Sequence, residues 1–289
     1  MRLRPDRSLV VPVLLRLFGF AGLFIAVAVV LLGLAGMPTS LAAQGSLQLV
    51  AAVVASAIVL RIDGKRSLPA IGLPRQAAGR GLLRGTLLGI AIVLSALAFA
   101  VGLGGLRYGS AEGTAVEYAA TGIWTALILL PAAAGEEIAL RGYPLRVLVD
   151  RWGRWPALAV TSAAFSLLHG ANPNVGRLAF LNIALAGILL GLICLKTGDL
   201  WWATGVHMGW NLATGFLADL PVSGLKVVDA PLMEVTETGA ALVTGGAFGL
   251  EGGLAATVAL ALAIPVVART RIVPARWLEG PVEPEQETE

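Results

Sequence analysis

The stretch "ALILLPAAAGEEIALRGYPL", residues 126–145, places two adjacent glutamates at the end of a run that is apolar enough to lie in a bilayer. Ionisable side chains are rare at membrane depth because removing them from water is costly, and those that persist usually serve a function. The stretch therefore predicts a membrane helix that carries Glu136 and Glu137 for a chemical reason.

The composition of the whole chain agrees with a membrane protein. The 289 residues are 57% hydrophobic and only 13% charged, with a mean hydropathy of +0.82, whereas soluble domains carry about 25% charged residues. Since a soluble core cannot hold so much apolar sequence, we predict an all-α, polytopic bundle of transmembrane helices. The net charge of +3 indicates no nucleic-acid partner, and the single cysteine, Cys194, excludes an internal disulfide.

Apolar segments of nearly the length that crosses the hydrocarbon, about 20 residues, recur along the chain. They predict eight spans, at about 14–36, 45–61, 82–105, 118–136, 155–169, 177–196, 200–218 and 250–268. The first follows three arginines, as a signal peptide does, but its apolar run from Leu17 to Ala35 exceeds the roughly 7–15 residues of a signal core. We therefore expect a retained helix.

Lysine and arginine cluster in alternate connections between these segments. With eight spans every cluster falls on one side, so the positive-inside rule predicts that both termini are cytoplasmic. The clusters are Arg2, Arg4 and Arg7; Arg61, Lys65, Arg66, Arg75, Arg80 and Arg84; Arg146, Arg151 and Arg154; Lys196; and Arg269, Arg271 and Arg276. A bias towards Ala, Gly, Leu and Arg favours a bacterial genome rich in G and C, so with the predicted spans we expect a multi-pass protein of the bacterial cytoplasmic membrane.

Domain organisation is predicted to be simple. A single integral-membrane domain covers residues 1–278, and the acidic segment 279–289, "EGPVEPEQETE", is expected to be a disordered tail. Segment 62–81 mixes basic and apolar residues, so we expect it to lie along the cytoplasmic surface of the lipid bilayer.

Helical spacing separates the two glutamates. Glu137 and Arg141 are four residues apart and lie on one face, where they can form an ion pair. Glu136 points about 100° away from Glu137, since a helix turns once in about 3.6 residues. We expect Glu137 and Arg141 to be structural, which leaves Glu136 without a cation nearby in the sequence.

Two histidines complete the ionisable groups that we expect in the membrane core. Phe165 and His169 are four residues apart, and so are His207 and Asn211, so each pair shares a helix face. A lone histidine or asparagine in a span is often only a hydrogen-bonded core residue. Three spans that each carry such groups, with little else polar, favour one shared site in which the groups satisfy one another.

A glutamate, two histidines and an asparagine suit hydrolysis of a peptide bond. A partly desolvated carboxylate is a strong enough base to take a proton from water, and imidazole and amide groups can orient the water and polarise a carbonyl. If a metal takes part, Glu136, His169 and His207 would form a plausible Zn²⁺ set with an open position. The H-E-x-x-H helix of common zinc peptidases is absent, and Ser166 lacks the G-x-S-x-G elbow of a serine nucleophile.

Three motifs in order, "EEIALR", "FSLLH" and "HMGWN", resemble the CPBP family of intramembrane glutamic or metallo-endopeptidases, which includes type 2 CAAX prenyl proteases and Abi-like bacteriocin-processing proteins. The motif core runs from about 118 to 218, and "LPVSGL" and "GGAFGLEGG" further on also resemble bacterial members.

The resemblance implies an intramembrane endopeptidase that cleaves a peptide or protein substrate at the membrane. It implies that Glu136 activates the water, His169 positions it, and His207 and Asn211 support the oxyanion. Glu137, Arg141 and Phe165 would support the structure. Two alternatives stay open on the residues alone: a proton-coupled transporter, and a non-catalytic scaffold or immunity-type protein. The oligomeric state is not predicted.

Overall fold

The computed structural model describes residues 13–64 and 67–270. The helices are α1 (Val13–Leu34), α2 (Leu41–Ile62), α3 (Ala78–Gly102), α4 (Ala115–Glu137), α5 (Tyr143–Trp152), α6 (Arg154–Leu168), α7 (Arg177–Thr197), α8 (Leu200–Leu212), α9 (Ala241–Thr244) and α10 (Leu254–Arg269), and the strands are β1 (Leu106–Ser110) and β2 (Met233–Glu237). The predicted tail 279–289 and several orientation-setting residues, Arg2, Arg4, Arg7, Lys65, Arg66, Arg271 and Arg276, lie outside the described residues.

All eight predicted apolar segments are helical, and the all-α membrane bundle is confirmed. Within the described ranges, five helical stretches are long and apolar enough to cross a bilayer: Val13–Leu34, Leu41–Ile62, Arg75–Gly102, Ala115–Trp152 and Arg177–Thr197. Helices α6, α8 and α10 are shorter, with 15, 13 and 16 residues. The number of spans and the cytoplasmic placement of both termini therefore stay predictions.

A small antiparallel sheet, which the sequence-based prediction lacks, marks one end of the bundle. Strand β1 joins α3 to α4, and its partner β2 lies in the connection between α8 and α10. The Tyr108 hydroxyl donates to the carbonyl of Ala218, 3.2 Å away, and so ties β1 to the segment that follows α8. Only Leu106 of β1 is buried, which is why the sequence carries no clear strand alternation. We call this the sheet end.

The opposite end is formed by the α2–α3 connection packed against the α7–α8 connection. The Leu200 amide donates to the Gly72 carbonyl at 2.7 Å, and the Trp201 indole donates to the Pro74 carbonyl at 3.0 Å. Most of the lysines and arginines of the described residues lie at this end, which we call the basic end.

Glycines allow α3 and α8 to pack backbone against backbone. A Cβ added at Gly85 or Gly89 would meet the carbonyl oxygen of Trp202 or Val206, and one at Gly209 would meet that of Thr86. Small residues permit this close approach of membrane helices. These contacts show that α3 and α8 are parallel, and they hold α8, which carries His207 and Asn211, in place.

A similar contact positions α4. Gly45 of α2 lies against Ala132, and Gly135 lies against Leu49, so α2 and α4 are also parallel and closely packed. Beyond Glu137 the helix continues through one π-helical turn, Ile138–Gly142, before α5 begins. Such turns often mark functional sites, and here the turn contains Arg141.

Candidate active site

Glu137 and Arg141 form the buried centre of the site. Both side chains are fully shielded from solvent, and Arg141 Nη1 donates to Glu137 Oε1 at 3.0 Å. The Arg141 guanidinium also donates from Nη2 to the Gly187 carbonyl at 3.4 Å, and it stacks 4.3 Å from the centroid of the Phe165 ring. The ion pair thus joins the end of α4 to α6 and α7.

Glu137 has a second partner that sequence spacing could not reveal. His207 Nδ1, on α8, lies 3.0 Å from the same Glu137 Oε1. Because a carboxylate beside a guanidinium accepts rather than donates, His207 Nδ1 carries the proton of this hydrogen bond. Glu137 therefore holds the Arg141 side chain and sets the orientation of the His207 ring.

His169 is oriented in a comparable way at the end of α6. Its Nδ1 lies 2.7 Å from the Phe165 carbonyl oxygen, which can only accept, so Nδ1 carries the proton. The Phe165 ring makes edge contacts with both imidazoles, with centroid distances of 4.7 Å to His169 and 5.7 Å to His207. Phe165 is thus the shared packing surface for Arg141 and the two histidines.

Glu136 faces the two histidines from α4. Its Oε2 lies 3.9 Å from His169 Nε2 and 3.8 Å from His207 Nε2, and about a quarter of its side chain, 26%, is exposed. At these distances no direct hydrogen bond forms, and within the described part of the chain Oε2 has no protein hydrogen-bond partner. In their neutral forms both Nε2 atoms are acceptors, so three acceptor atoms converge on one small space. A water molecule or a cation is the kind of species that such a set binds.

A cavity of about 450 Å³ opens beside these groups. Glu136, His169, His207 and Asn211 all belong to its lining, so the structure brings the four predicted catalytic residues to one space. Phe165 lines it as well, whereas Glu137 and Arg141 lie behind the wall. Ser166 is directed elsewhere, since its hydroxyl donates to the Phe180 carbonyl at 2.7 Å.

The expected set of ionisable groups in the membrane core was incomplete, because Glu251 is also buried in the cavity wall. Its carboxylate accepts hydrogen bonds from the Trp210 indole at 2.8 Å and from both the amide and the hydroxyl of Ser223 at 2.7 Å. It thereby anchors the α8–α10 connection against α8. Glu251 lies in the quoted stretch "GGAFGLEGG", but its position at the edge of the eighth predicted span hid its burial.

Two asparagines of the lining were also missed. Asn182 on α7 donates to the carbonyls of Glu251 and Gly253, at 2.8 and 2.9 Å, and Asn172 donates to the Ser223 carbonyl at 3.0 Å. Both hold the α8–α10 connection in place over the cavity. An asparagine inside the sixth apolar segment was the available signal for Asn182.

Comparison with known proteins identifies the family of this region. Residues 118–213 match the family model described as type II CAAX prenyl endopeptidase Rce1-like, over about a third of the chain. All three motifs, from Glu136 to Asn211, lie within the match. No curated protein and no solved structure matches the chain. The predicted resemblance to CAAX proteases is therefore confirmed for residues 118–213, and so is the predicted enzyme class, a membrane protease.

Proposed function

We propose, from the premise that residues 118–213 form a type II CAAX prenyl endopeptidase domain, that this enzyme hydrolyses a peptide bond inside the membrane with a water activated by Glu136. The observation that carries the proposal is the unpaired Glu136 Oε2, which faces two histidine Nε2 atoms at the wall of a cavity. The substrate is a peptide or protein segment at the bilayer, and we expect the membrane to be the bacterial cytoplasmic membrane.

The first step is proton transfer from water to Glu136. A water bound among Glu136 Oε2, His169 Nε2 and His207 Nε2 can donate to the carboxylate and to one imidazole, which directs a lone pair towards the substrate carbonyl. As the water oxygen bonds to the carbonyl carbon, Glu136 receives the proton. Collapse of the tetrahedral intermediate breaks the C–N bond, and Glu136 returns the proton to the leaving amine.

The negative oxygen of the intermediate needs donors on the other side of the scissile bond. The Asn211 amide can donate directly, and His207 can donate from Nε2 when its ring has taken up a second proton from solvent, in which case Glu136 and the neutral His169 hold the water. Glu137 supports this role because its carboxylate at His207 Nδ1 stabilises positive charge on the ring, 3.0 Å away. Arg141 in turn fixes Glu137.

Binding of a zinc ion by Glu136, His169 and His207 stays a separate prediction. His169 Nε2, His207 Nε2 and Glu136 Oε2 have the right donor chemistry, and each histidine is oriented through Nδ1 as metal-ligating histidines usually are. Their separations of 3.8 and 3.9 Å exceed the roughly 3.3 Å between two ligands of one tetrahedral zinc, so the side chains would have to approach one another. If bound, the ion would polarise the carbonyl and acidify the water.

The test is cleavage of a quenched peptide library by the purified protein in detergent, with wild type beside Glu136→Gln and each with and without a metal chelator. We expect cleavage by wild type and none by Glu136→Gln. Retained cleavage in chelator would support a water activated by Glu136 alone, and its loss would support the zinc prediction. Equal cleavage by both proteins would contradict the proposed base. If cells that carry the Glu136→Gln variant keep the phenotype of cells with the wild-type protein, the alternative of a non-catalytic scaffold is favoured.

A further inference from the structure

Helix α2 forms one wall of the cavity with a stripe of side chains at helical spacing. Leu41, Gln44, Gly45 and Gln48 belong to the lining and lie on one face of the helix. Gln48 is half-buried and lies about two turns from the first residue of α2. Since α2 is long and apolar enough to cross a bilayer, this stripe places an amide group on the wall of an intramembrane cavity.

The packing of α2 on α4 brings Gln48 to the level of Glu136. A Cβ added at Gly135 would lie 3.0 Å from the Leu49 amide nitrogen and 3.3 Å from the Gln48 carbonyl carbon. The α2 backbone at Gln48 therefore touches the α4 backbone one residue before Glu136. Because Gln48 and Glu136 both line the cavity, a molecule that binds at Glu136 also lies beside Gln48.

Most amide groups of the cavity wall already have a partner or a role. The lining contains five amide side chains: Gln44, Gln48, Asn172, Asn182 and Asn211. Asn172 and Asn182 hold the α8–α10 connection, and Gln44 donates to a carbonyl of the α1–α2 connection at 3.1 Å. Asn211 is the proposed oxyanion donor. The Gln48 amide makes no hydrogen bond with any other residue that the structure describes.

An unpartnered amide makes the empty fold less stable. Removing an amide from water without a new hydrogen bond costs free energy, and an apolar side chain of the same size would avoid that cost. A group that opposes stability at the wall of a functional cavity is expected where it binds a ligand. A peptide is a suitable ligand, since its backbone N–H and C=O groups need partners in a bilayer and glutamine offers both a donor and an acceptor.

We propose that Gln48 is a substrate-binding residue, whose side-chain amide hydrogen-bonds the backbone of the peptide segment that lies beside Glu136. That the ligand is a peptide rests on the proposed function, whereas the free amide on the cavity wall does not. Because the bonds are made to the backbone, Gln48 holds the segment without selecting its side chains. It acts in substrate binding and not in proton transfer, so its loss affects KM more than kcat.

Binding of a fluorescent peptide tests the proposal without a catalytic readout. The probe contains three Ala–Leu repeats between two lysines, and the protein is Glu136→Gln in detergent, with and without Gln48→Met. Methionine keeps the length of the side chain and removes both hydrogen-bonding groups. We expect the Kd of the probe to rise about three- to tenfold with Gln48→Met, as for the loss of a neutral hydrogen bond. The unfolding midpoint should not fall, since no bond of the fold is lost.

Ester probes identify the bonded peptide unit. Each peptide N–H of the probe is replaced in turn by an ester oxygen, which cannot donate and which weakens the adjacent carbonyl as an acceptor. One replacement should weaken binding to the protein that keeps Gln48 and leave binding to the Gln48→Met variant unchanged. If every replacement affects the two proteins equally, Gln48 does not bind the backbone and the proposal fails.

Gln44→Met is the matched control, because Gln44 lies one turn earlier on the same stripe and its amide has a partner within the chain. We expect a smaller rise of the Kd from this change. The proposal would be overturned by equal effects of the two changes, by an unchanged Kd or a lower unfolding midpoint with Gln48→Met, or by no binding of the probe to the protein that keeps Gln48. These readouts do not depend on the rate of cleavage, so they stay separate from the test of Glu136 as the base.

Discussion

The two adjacent glutamates of α4 lie in opposite surroundings. Glu137 is fully buried and holds both an arginine and a histidine, whereas Glu136, one residue earlier, is partly exposed and its Oε2 has no protein hydrogen-bond partner in the described structure. Glu137 binds both partners through Oε1 and leaves its other oxygen, Oε2, buried without a hydrogen-bond partner among the described residues, whereas Oε2 of Glu136 faces the two histidines beside the cavity. The contrast teaches that two adjacent glutamates can take different roles, one structural and one chemical, because their side chains point in different directions.

The largest effect on stability should come from Glu137→Ala. This change leaves Arg141 buried without its carboxylate, and breaking a buried pair from one side costs about 3–5 kcal/mol. We expect a marked fall in the thermal unfolding midpoint of the detergent-solubilised protein, and a loss of activity because His207 also loses its Nδ1 partner.

The double variant Glu137→Ala/Arg141→Met separates these two consequences. Apolar replacement of both partners of a buried pair is often close to neutral, so the unfolding midpoint should recover. Peptide cleavage should not recover, since the His207 ring stays unoriented. Recovery of activity together with stability would mean that Glu137 has no role beyond the ion pair.

Asn211→Ala should reduce turnover with little effect on folding. Removing one oxyanion donor costs about 100-fold in kcat or more, and Asn211 lies on the cavity wall and not in the buried cluster. The measurement is kcat and KM of the purified variant. A change confined to KM would show that Asn211 binds substrate without stabilising the intermediate.

Phe165→Leu should have a smaller effect. Leucine keeps an apolar surface but removes the ring that stacks on Arg141 and contacts both imidazoles. A cation–π contact contributes about 1 kcal/mol, so we expect a modest fall in the unfolding midpoint and a reduction of kcat/KM by less than about tenfold. An unchanged midpoint would indicate that the stacking adds nothing to stability.

The smallest expected effect is a pH dependence of stability that arises from Asp199, which lies at the basic end and is not part of the cavity lining. Burial raises the pKa of Asp199 to about 6, above its unfolded value of about 4. The folded state therefore binds the proton more tightly, and the associated stability is present below about pH 4 and is lost as the pH rises through about 6. The midpoint of wild type should fall slightly from pH 5 to pH 7, and Asp199→Asn should reduce that dependence. An equal fall in the variant would assign the effect to another group.

Local geometry explains which parts of the site could be predicted from sequence. The Glu137–Arg141 pair and the divergence of Glu136 follow from helical spacing, and both are observed. The bond between Glu137 and His207 depends on how α4 packs on α8, which no spacing within one helix reveals. The same holds for Glu251, whose burial depends on a glycine-rich connection that folds back over the cavity.

The fold shows a similar division. Continuous apolar runs predicted every long helix, because a bilayer requires such runs. The sheet of β1 and β2 and the π-helical turn at Ile138–Gly142 were not predicted, since each consists of a few residues whose conformation depends on neighbouring elements.

A direct comparison of Glu136→Gln with Glu137→Gln tests the division of roles between the two glutamates. Both changes remove one charge and keep the side-chain shape, and kcat/KM and the unfolding midpoint would be measured on the same preparations. We predict that Glu136→Gln loses about 10³-fold or more in kcat/KM with the midpoint of wild type, whereas Glu137→Gln lowers the midpoint. A folded Glu136→Gln variant that cleaves the peptide at the wild-type rate would contradict the account.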